Sequence, residues 1–148
     1  MESIVNTNKK AYFDYEILET YEAGIELKGF EVKAIKTGHM NLAGSFVVLK
    51  NNQAWLINAD IPPYQPKNTP PDYDSKRTRR LLLKTEEIKQ LIGKTNEKGL
   101  TLVPLKVYNK RKRVKIEIGL GRGKKKSDKR ETIKKREWQR LRRNIETR

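Results

Sequence analysis

Ser45-Phe46-Val47-Val48-Leu49-Lys50-Asn51-Asn52-Gln53-Ala54-Trp55-Leu56-Ile57 is the stretch that decides the fold. Ser45 to Leu49 is apolar and β-branched, and Ala54 to Ile57 matches it. Asn51-Asn52 between them tolerates the positive φ of a tight turn, which predicts a β-hairpin.

The same pattern repeats on both sides. Upstream, Phe13, Tyr15 and Ile17 alternate with Asp14 and Glu16, the signature of a half-buried strand beginning near Ala11. Glu22-Ala23-Gly24 interrupts and Ile25-Glu26-Leu27 alternates again, predicting a hairpin with Gly24 in its turn. Val32 and Ile35 fall at helical spacing within Phe30 to Thr37, and Gly38 is placed to end that short helix. Downstream, residues 60–80 hold Pro62, Pro63, Pro66, Pro70 and Pro71, then Lys76-Arg77-Thr78-Arg79-Arg80. This predicts a long extended loop, basic at its end, and loops of that length are commonly functional. Thr85 can cap a helix whose first turn holds Glu86 and Glu87, with Ile88, Leu91 and Ile92 as its buried stripe and Gly93 as its end. Leu102 to Tyr108 and Val114 to Leu120 alternate on either side of Asn109-Lys110-Arg111-Lys112-Arg113. In the second of these, Val114, Ile116 and Ile118 face inward while Lys115 and Glu117 face out.

Six short strands in hairpin-like pairs, one or two inserted helices and no βαβ rhythm favour a mainly β fold. It is either a small antiparallel barrel, closed or nearly so, of which the OB type is the commonest nucleic-acid binder, or an open α+β sheet. No internal repeat is visible.

Charge divides the chain. Its 148 residues carry 34 Lys plus Arg against 18 Asp plus Glu, a formal net charge of +16. Residues 1–105 hold 15 basic and 13 acidic side chains, whereas residues 106–148 hold 19 and 5. The first part reads as a balanced domain preceded by a polar, frayed stretch at 1–10. Beyond residue 120 only Ile133, Trp138, Leu141 and Ile145 are large and apolar, too few for a core. They form one stripe of a helix whose opposite face is Lys and Arg, with Asp128 and Glu131 as a capping box. Like charges at that density predict a tail beyond about residue 123 that is disordered in isolation and helical against a polyanion.

Several classes drop out. There is no Cys, so disulfides and thiolate metal sites are excluded, and a reducing cytosol suits the composition. The start Met-Glu-Ser is not that of a signal peptide, and no apolar run approaches a membrane span. A soluble cytoplasmic protein is expected. The single histidine, His39, sits in Gly38-His39-Met40-Asn41 and reads as an exposed turn residue. No Gly-rich phosphate loop, nucleophile elbow or paired-histidine zinc motif occurs, so neither an enzyme nor a cofactor or metal is expected. Positive charge concentrated in one segment is instead the footprint of a phosphate-binding surface.

Individual segments then become recognisable. Asn8-Lys9-Lys10-Ala11, Tyr21-Glu22-Ala23-Gly24-Ile25, Gly29-Phe30-Glu31-Val32-Lys33 and Arg79-Arg80-Leu81-Leu82-Leu83 occur in that order. They are followed by Gly99-Leu100-Thr101-Leu102-Val103-Pro104-Leu105, Gly119-Leu120-Gly121-Arg122-Gly123-Lys124-Lys125 and Asp128-Lys129-Arg130-Glu131. Together they resemble the bacterial SsrA-binding protein family, small protein B, across about Asn8 to Trp138.

The resemblance implies an OB-type barrel at 11–122, a flexible N-terminus at 1–10 and a basic tail at 123–148. It implies that the barrel binds the tRNA-like domain of transfer-messenger RNA for trans-translation, the rescue of stalled ribosomes. The tail would enter the decoding centre and mRNA channel, and elongation factor Tu and alanyl-tRNA synthetase would be reached through the RNA. The alternative is a ribosomal-protein-like OB module that binds ribosomal RNA permanently.

Residue by residue, the resemblance assigns RNA contact to Asn8, Lys9, Glu31, Leu82 and Lys115. Lys9 and Lys115 supply charge, and Asn8 can bond a base edge or a phosphate. A carboxylate repels phosphate, so Glu31 would accept from base amino groups, hold a neighbouring Lys, or merely stabilise a helix start. Leu82 packs either a base or the core. Gly123, Lys124, Lys125, Asp128, Lys129, Arg130 and Trp138 match positions used for ribosome engagement. Asp128 also reads as a cap, and Trp138 on a polar helix reads as a docking residue. The family often carries an imidazole or phenol where this chain has Phe13, which can stack on a base or be buried but donates no hydrogen bond.

Overall fold

The computed structural model describes residues 2–124, 129–130 and 133–140. Strands β1 (Glu2–Thr7), β2 (Tyr15–Ile25), β3 (Phe46–Lys50), β4 (Gln53–Ile57), β5 (Arg79–Leu82), β6 (Thr101–Lys110) and β7 (Arg113–Gly123) form one sheet in the order β1-β6-β7-β2-β5-β4-β3. Every neighbouring pair is antiparallel. The sheet curls until β3 lies beside β6, but no ladder joins them, so the barrel is OB-like and not closed. Helices α1 (Lys9–Asp14), α2 (Gly29–Lys36) and α3 (Thr85–Lys98) sit between strands. Ile35, Leu42, Leu56, Leu81, Leu91 and Ile116 are fully buried in the core that the curl encloses.

The two hairpins show how local backbone chemistry sets the register. Asn51 and Asn52 take φ of 54° and 56° and connect β3 to β4 with Lys50 opposite Gln53, as their sequence predicts. Between β6 and β7 pairing continues to Lys110 opposite Arg113, leaving a two-residue turn, Arg111-Lys112, in place of the expected five-residue loop. Both residues hold positive φ, 51° and 67°.

Four further local expectations change. The polar stretch Glu2–Thr7 is not frayed but pairs with β6, because ladder bonds are made by backbone whatever the side chains. Asn6 Oδ1 also accepts from the Leu42 N–H at 2.9 Å, and Val5 packs on the core. Phe13 lies in α1, not in a strand, because buried Ala11 turns that helix onto Val103 and Leu105. Gly24 is inside β2, not in a turn: it sits opposite both Leu82 and Lys115, and a Cβ there would press within 3.3 Å of Leu82. Helix α3 passes through Gly93 and ends at Gly99, whose φ of 62° supplies the left-handed stop.

The basic end of the proline-rich loop is not displayed as a phosphate-binding run. Arg79 is fully buried, and its Nε and Nη2 donate to Glu31 Oε2 at 2.8 and 2.6 Å. Arg77 donates to both Glu31 oxygens, the Lys28 N–H donates at 2.8 Å, and the Tyr73 hydroxyl donates at 3.0 Å. Arg79 further donates to the carbonyls of Ala59, Ser75 and Arg77. One carboxylate thus ties α2 to β5 and to the loop between β4 and β5. Burial alone would raise the Glu31 pKa, but the hydrogen bonds from Arg77, Lys28 and Arg79 outweigh it and hold the group at about 2 instead of 4.5.

Three outcomes are expected. Because the folded pKa is depressed, the Glu31 contribution is complete above about pH 5 and is lost as pH falls toward 2. Urea unfolding should show wild type losing about 3 kcal/mol from this group across that window. Glu31→Gln should already be destabilised by about 3–5 kcal/mol at pH 7, with a flatter acid limb. Gly121→Ala should drive its new Cβ into the Glu16 carbonyl oxygen on β2. A loss of about 2 kcal/mol or more in thermal unfolding is expected.

Candidate nucleic-acid interface

Strand β5 alternates in and out: Arg79 and Leu81 are buried, Arg80 and Leu82 exposed. That alternation turns Leu82 outward, 48% exposed, so it is not a core residue. Gly24 on the neighbouring β2 pairs with Leu82 on one side and with Lys115 of β7 on the other. The three form one row across β5, β2 and β7. The row borders a cleft of about 300 Å³ floored by Ile25, Leu27, Val32 and Val114 and edged by Lys112, Arg113 and Lys115. A ligand here meets an apolar floor under a cationic rim, which suits a base with its phosphate. Two of the five residues assigned to RNA, Leu82 and Lys115, are brought together by this row.

The acids nearby are engaged by their neighbours. Glu22 accepts from the Tyr108 hydroxyl and from Lys110 Nζ, at 3.1 Å for the latter, and the tyrosine bond foremost lowers its pKa. Glu117 pairs with Lys106 at 3.2 Å. Tyr12 of α1 lies over the same region, its pKa raised by burial and then by the Glu117 charge. Glu22 lies close enough to feel both Lys110 and Lys115, so part of the positive field of the β6–β7 tip is offset there.

The other assigned residues divide. Lys9 is exposed at the start of α1. Asn8 is buried, its Nδ2 donating to the Pro104 carbonyl at 2.9 Å while its backbone N–H donates to Leu105 at 2.7 Å. In this arrangement Asn8 locks α1 onto β6. Glu31 is wholly buried and reaches any ligand only through what it holds. Its structural reading is therefore larger than the helix-start stabilisation its position suggested, though the Lys28 N–H bond includes that too.

At the other end of β2 the tail leaves the sheet. Gly123 pairs with Tyr15, and the Lys124 N–H donates to the Asp14 carbonyl at 2.8 Å. Lys129 Nζ bonds Asp14 Oδ1 at 3.3 Å. The Lys129 ammonium and the Arg136 guanidinium lie 5.9 and 5.7 Å from the centre of the Phe13 ring. Phe13 is thus half-buried beneath two tail cations. Lys129, Arg130 and residues 133–140 are helical, with Ile133 43% and Trp138 61% exposed. Lys125 and Asp128 lie outside the described residues, as do Glu131, Leu141 and Ile145 of the expected cap and stripe.

Sequence reasoning missed Gly24 as the spacer of the Leu82–Lys115 row and Arg79 as a core residue. A signal for the second existed: Arg79 occupies the inward position of an alternating Arg79-Arg80-Leu81-Leu82 strand. His39 is where its sequence placed it, in an exposed turn, with Nδ1 2.9 Å from Thr37 Oγ1. No described helix is long and apolar enough to cross a membrane.

The family model described as SmpB protein matches residues 5–147. The SsrA-binding protein of Trichodesmium erythraeum (strain IMS101) is 50% identical over 136 residues, covering 92% of this chain and 87% of its own. That of Gloeothece citriformis (strain PCC 7424) is 53% identical over 134 residues, covering 90% and 86%. That of Thermosipho africanus (strain TCF52B) is 53% identical over 135 residues, covering 90% of both. A solved chain described as "tmRNA-SmpB: a journey to the center of the bacterial ribosome" superposes with a TM-score of 0.65 at 45% identity, over 86% of this chain and 92% of that one. Family model, relatives and solved structure agree over most of the length: the chain belongs to the SmpB family of SsrA-binding proteins.

Proposed function

We propose that this chain is an RNA-binding adaptor that takes the tRNA-like domain of transfer-messenger RNA and delivers it to stalled ribosomes for trans-translation. The observation that carries the reading is the Leu82–Gly24–Lys115 row beside a cationic cleft. Its relatives are named for binding SsrA, and the solved relative is a tmRNA partner at the ribosome. The body, residues 11–122, captures RNA by charge and stacking. The stretch 1–10 contributes Asn8 as a brace and Lys9 as a charge. The tail, 123–148, engages the decoding centre and mRNA channel through Gly123, Lys124, Lys125, Asp128, Lys129, Arg130 and Trp138.

No covalent step is assigned to the protein, and no cofactor is needed. Charging and peptide transfer belong to alanyl-tRNA synthetase and the ribosome, which meet the adaptor, like elongation factor Tu, through the RNA. The adaptor works in the cytoplasm, where ribosomes are.

Pull-down of the full-length chain from lysate should recover transfer-messenger RNA; stoichiometric recovery of ribosomal subunits alone would favour a permanent ribosomal-RNA module and refute the reading. Lys115→Ala should weaken binding of a tRNA-like transcript several-fold and reduce the steepness of log K against log salt by about one. Deleting residues 124–148 should leave transcript affinity largely intact and abolish peptide tagging on stalled ribosomes; collapse of RNA binding would contradict this division of labour.

A further inference from the structure

Helix α2 separates two clefts. Leu27, just before it, and Val32 line the Leu82–Lys115 cleft, whereas Phe30 and Lys33 line a second one of about 360 Å³. The opposite wall of the second cleft is Tyr64, Gln65, Asn68 and Thr69 of the proline-rich loop, and none of the lining residues is acidic.

Its walls are held in place. The Phe30 ring stands edge-on to Tyr73 at 4.8 Å and 88°, and the Tyr73 hydroxyl is fixed by Glu31, Arg79 and the Ile61 carbonyl. Across the cleft, Asn68 Nδ2 donates to Gln65 Oε1 at 2.8 Å and Thr69 Oγ1 to the Gln65 carbonyl at 2.9 Å. That amide pair uses Gln65's acceptor and one donor of Asn68. The Gln65 amide N–H groups and Asn68 Oδ1 take no part in that bond and can serve a ligand as donor and acceptor. Tyr64 leans on His39 at 5.7 Å yet stays 44% exposed, a large ring offered to solvent.

We propose that this cleft takes one unpaired base of the same RNA that lies on the Leu82–Lys115 face. The base stacks on Tyr64, its edge meets Gln65 and Asn68, and its phosphate rests on Lys33. Aromatic rings, paired amides and a lysine without an acid are what single-stranded RNA needs for stacking, edge bonding and charge. An apolar peptide would leave the polar groups of Lys33, Gln65, Asn68 and Thr69 without partners. The two clefts flank a single helix about 10 Å across, so one strand passing over α2 reaches both. Glu31, out of reach of any ligand, then acts as a positioning residue: through Tyr73 it holds Phe30, and through Arg77 and Arg79 it holds the loop.

The inference rests on the adaptor reading, and the two fail differently. A tRNA-like transcript would be titrated against full-length wild type, Tyr64→Ala, Tyr64→Phe, Lys33→Ala and Lys115→Ala, and the wild-type complex irradiated for cross-link mapping. Tyr64→Ala should bind about tenfold more weakly and Tyr64→Phe nearly as wild type, because stacking needs the ring and not the hydroxyl. Lys33→Ala should flatten the salt slope by about one. A cross-link should join an unpaired nucleotide to the peptide holding Tyr64. Tyr64→Ala binding like wild type while Lys115→Ala does not, or cross-links confined to the Leu82–Lys115 face, would overturn this inference and spare the adaptor. Wild type that binds no transcript would remove both.

Discussion

The Glu31 carboxylate between Arg77 and Arg79 is the constraint on which the surface depends. A charge buried this completely is tolerable only if its lone pairs are filled, and here two guanidinium groups, a backbone N–H and a phenol fill them. Such a cluster need not add much net stability over an apolar packing. What it adds is position. The 18 residues from Pro62 through Arg79 would otherwise have many conformations, and the same carboxylate fixes their far end to α2.

Around that anchor the curled sheet separates two tasks. The outer side of β5, β2 and β7 presents Leu82 and Lys115 with Gly24 between them, where any larger residue would push the strands or Leu82 aside. The junction of α1 with the end of β7 presents Phe13 and Asp14 to the tail. The two regions lie at opposite ends of β2, since Gly24 closes one end and Tyr15, opposite Gly123, opens the other. A single long strand therefore links the proposed RNA-capturing face to the root of the tail.

How much of this was legible in the sequence follows from where each residue gets its instructions. The β3–β4 hairpin was readable because Asn51-Asn52 carries its own turn chemistry, and β7 because Val114, Ile116 and Ile118 alternate without interruption. Strand β1 was not, since only Ile4 and Val5 of its six residues are apolar and its pairing comes from backbone bonds to β6, about a hundred residues away. Phe13 was misplaced because the end of a six-residue helix abutting a strand mimics alternation over residues 13–17. Arg79 stands in a basic run at the end of a loop, and only tertiary structure brings Glu31 to it. Of the site, Leu82 and Lys115 were assigned through the family resemblance, while their adjacency depends on Gly24, which local pattern marked as a turn.

The tip of the β6–β7 hairpin carries a further consequence. Arg111 and Lys112 both occupy the left-handed region, where asparagine followed by glycine would sit with less strain. A chain optimised for folding alone would not put two long cations there. Conformational comfort and surface potential oppose each other at this corner, and a thermally hardened variant with Asn-Gly in that turn would give up two positive charges beside Arg113 and Lys115. The sequence has settled the conflict in favour of electrostatics.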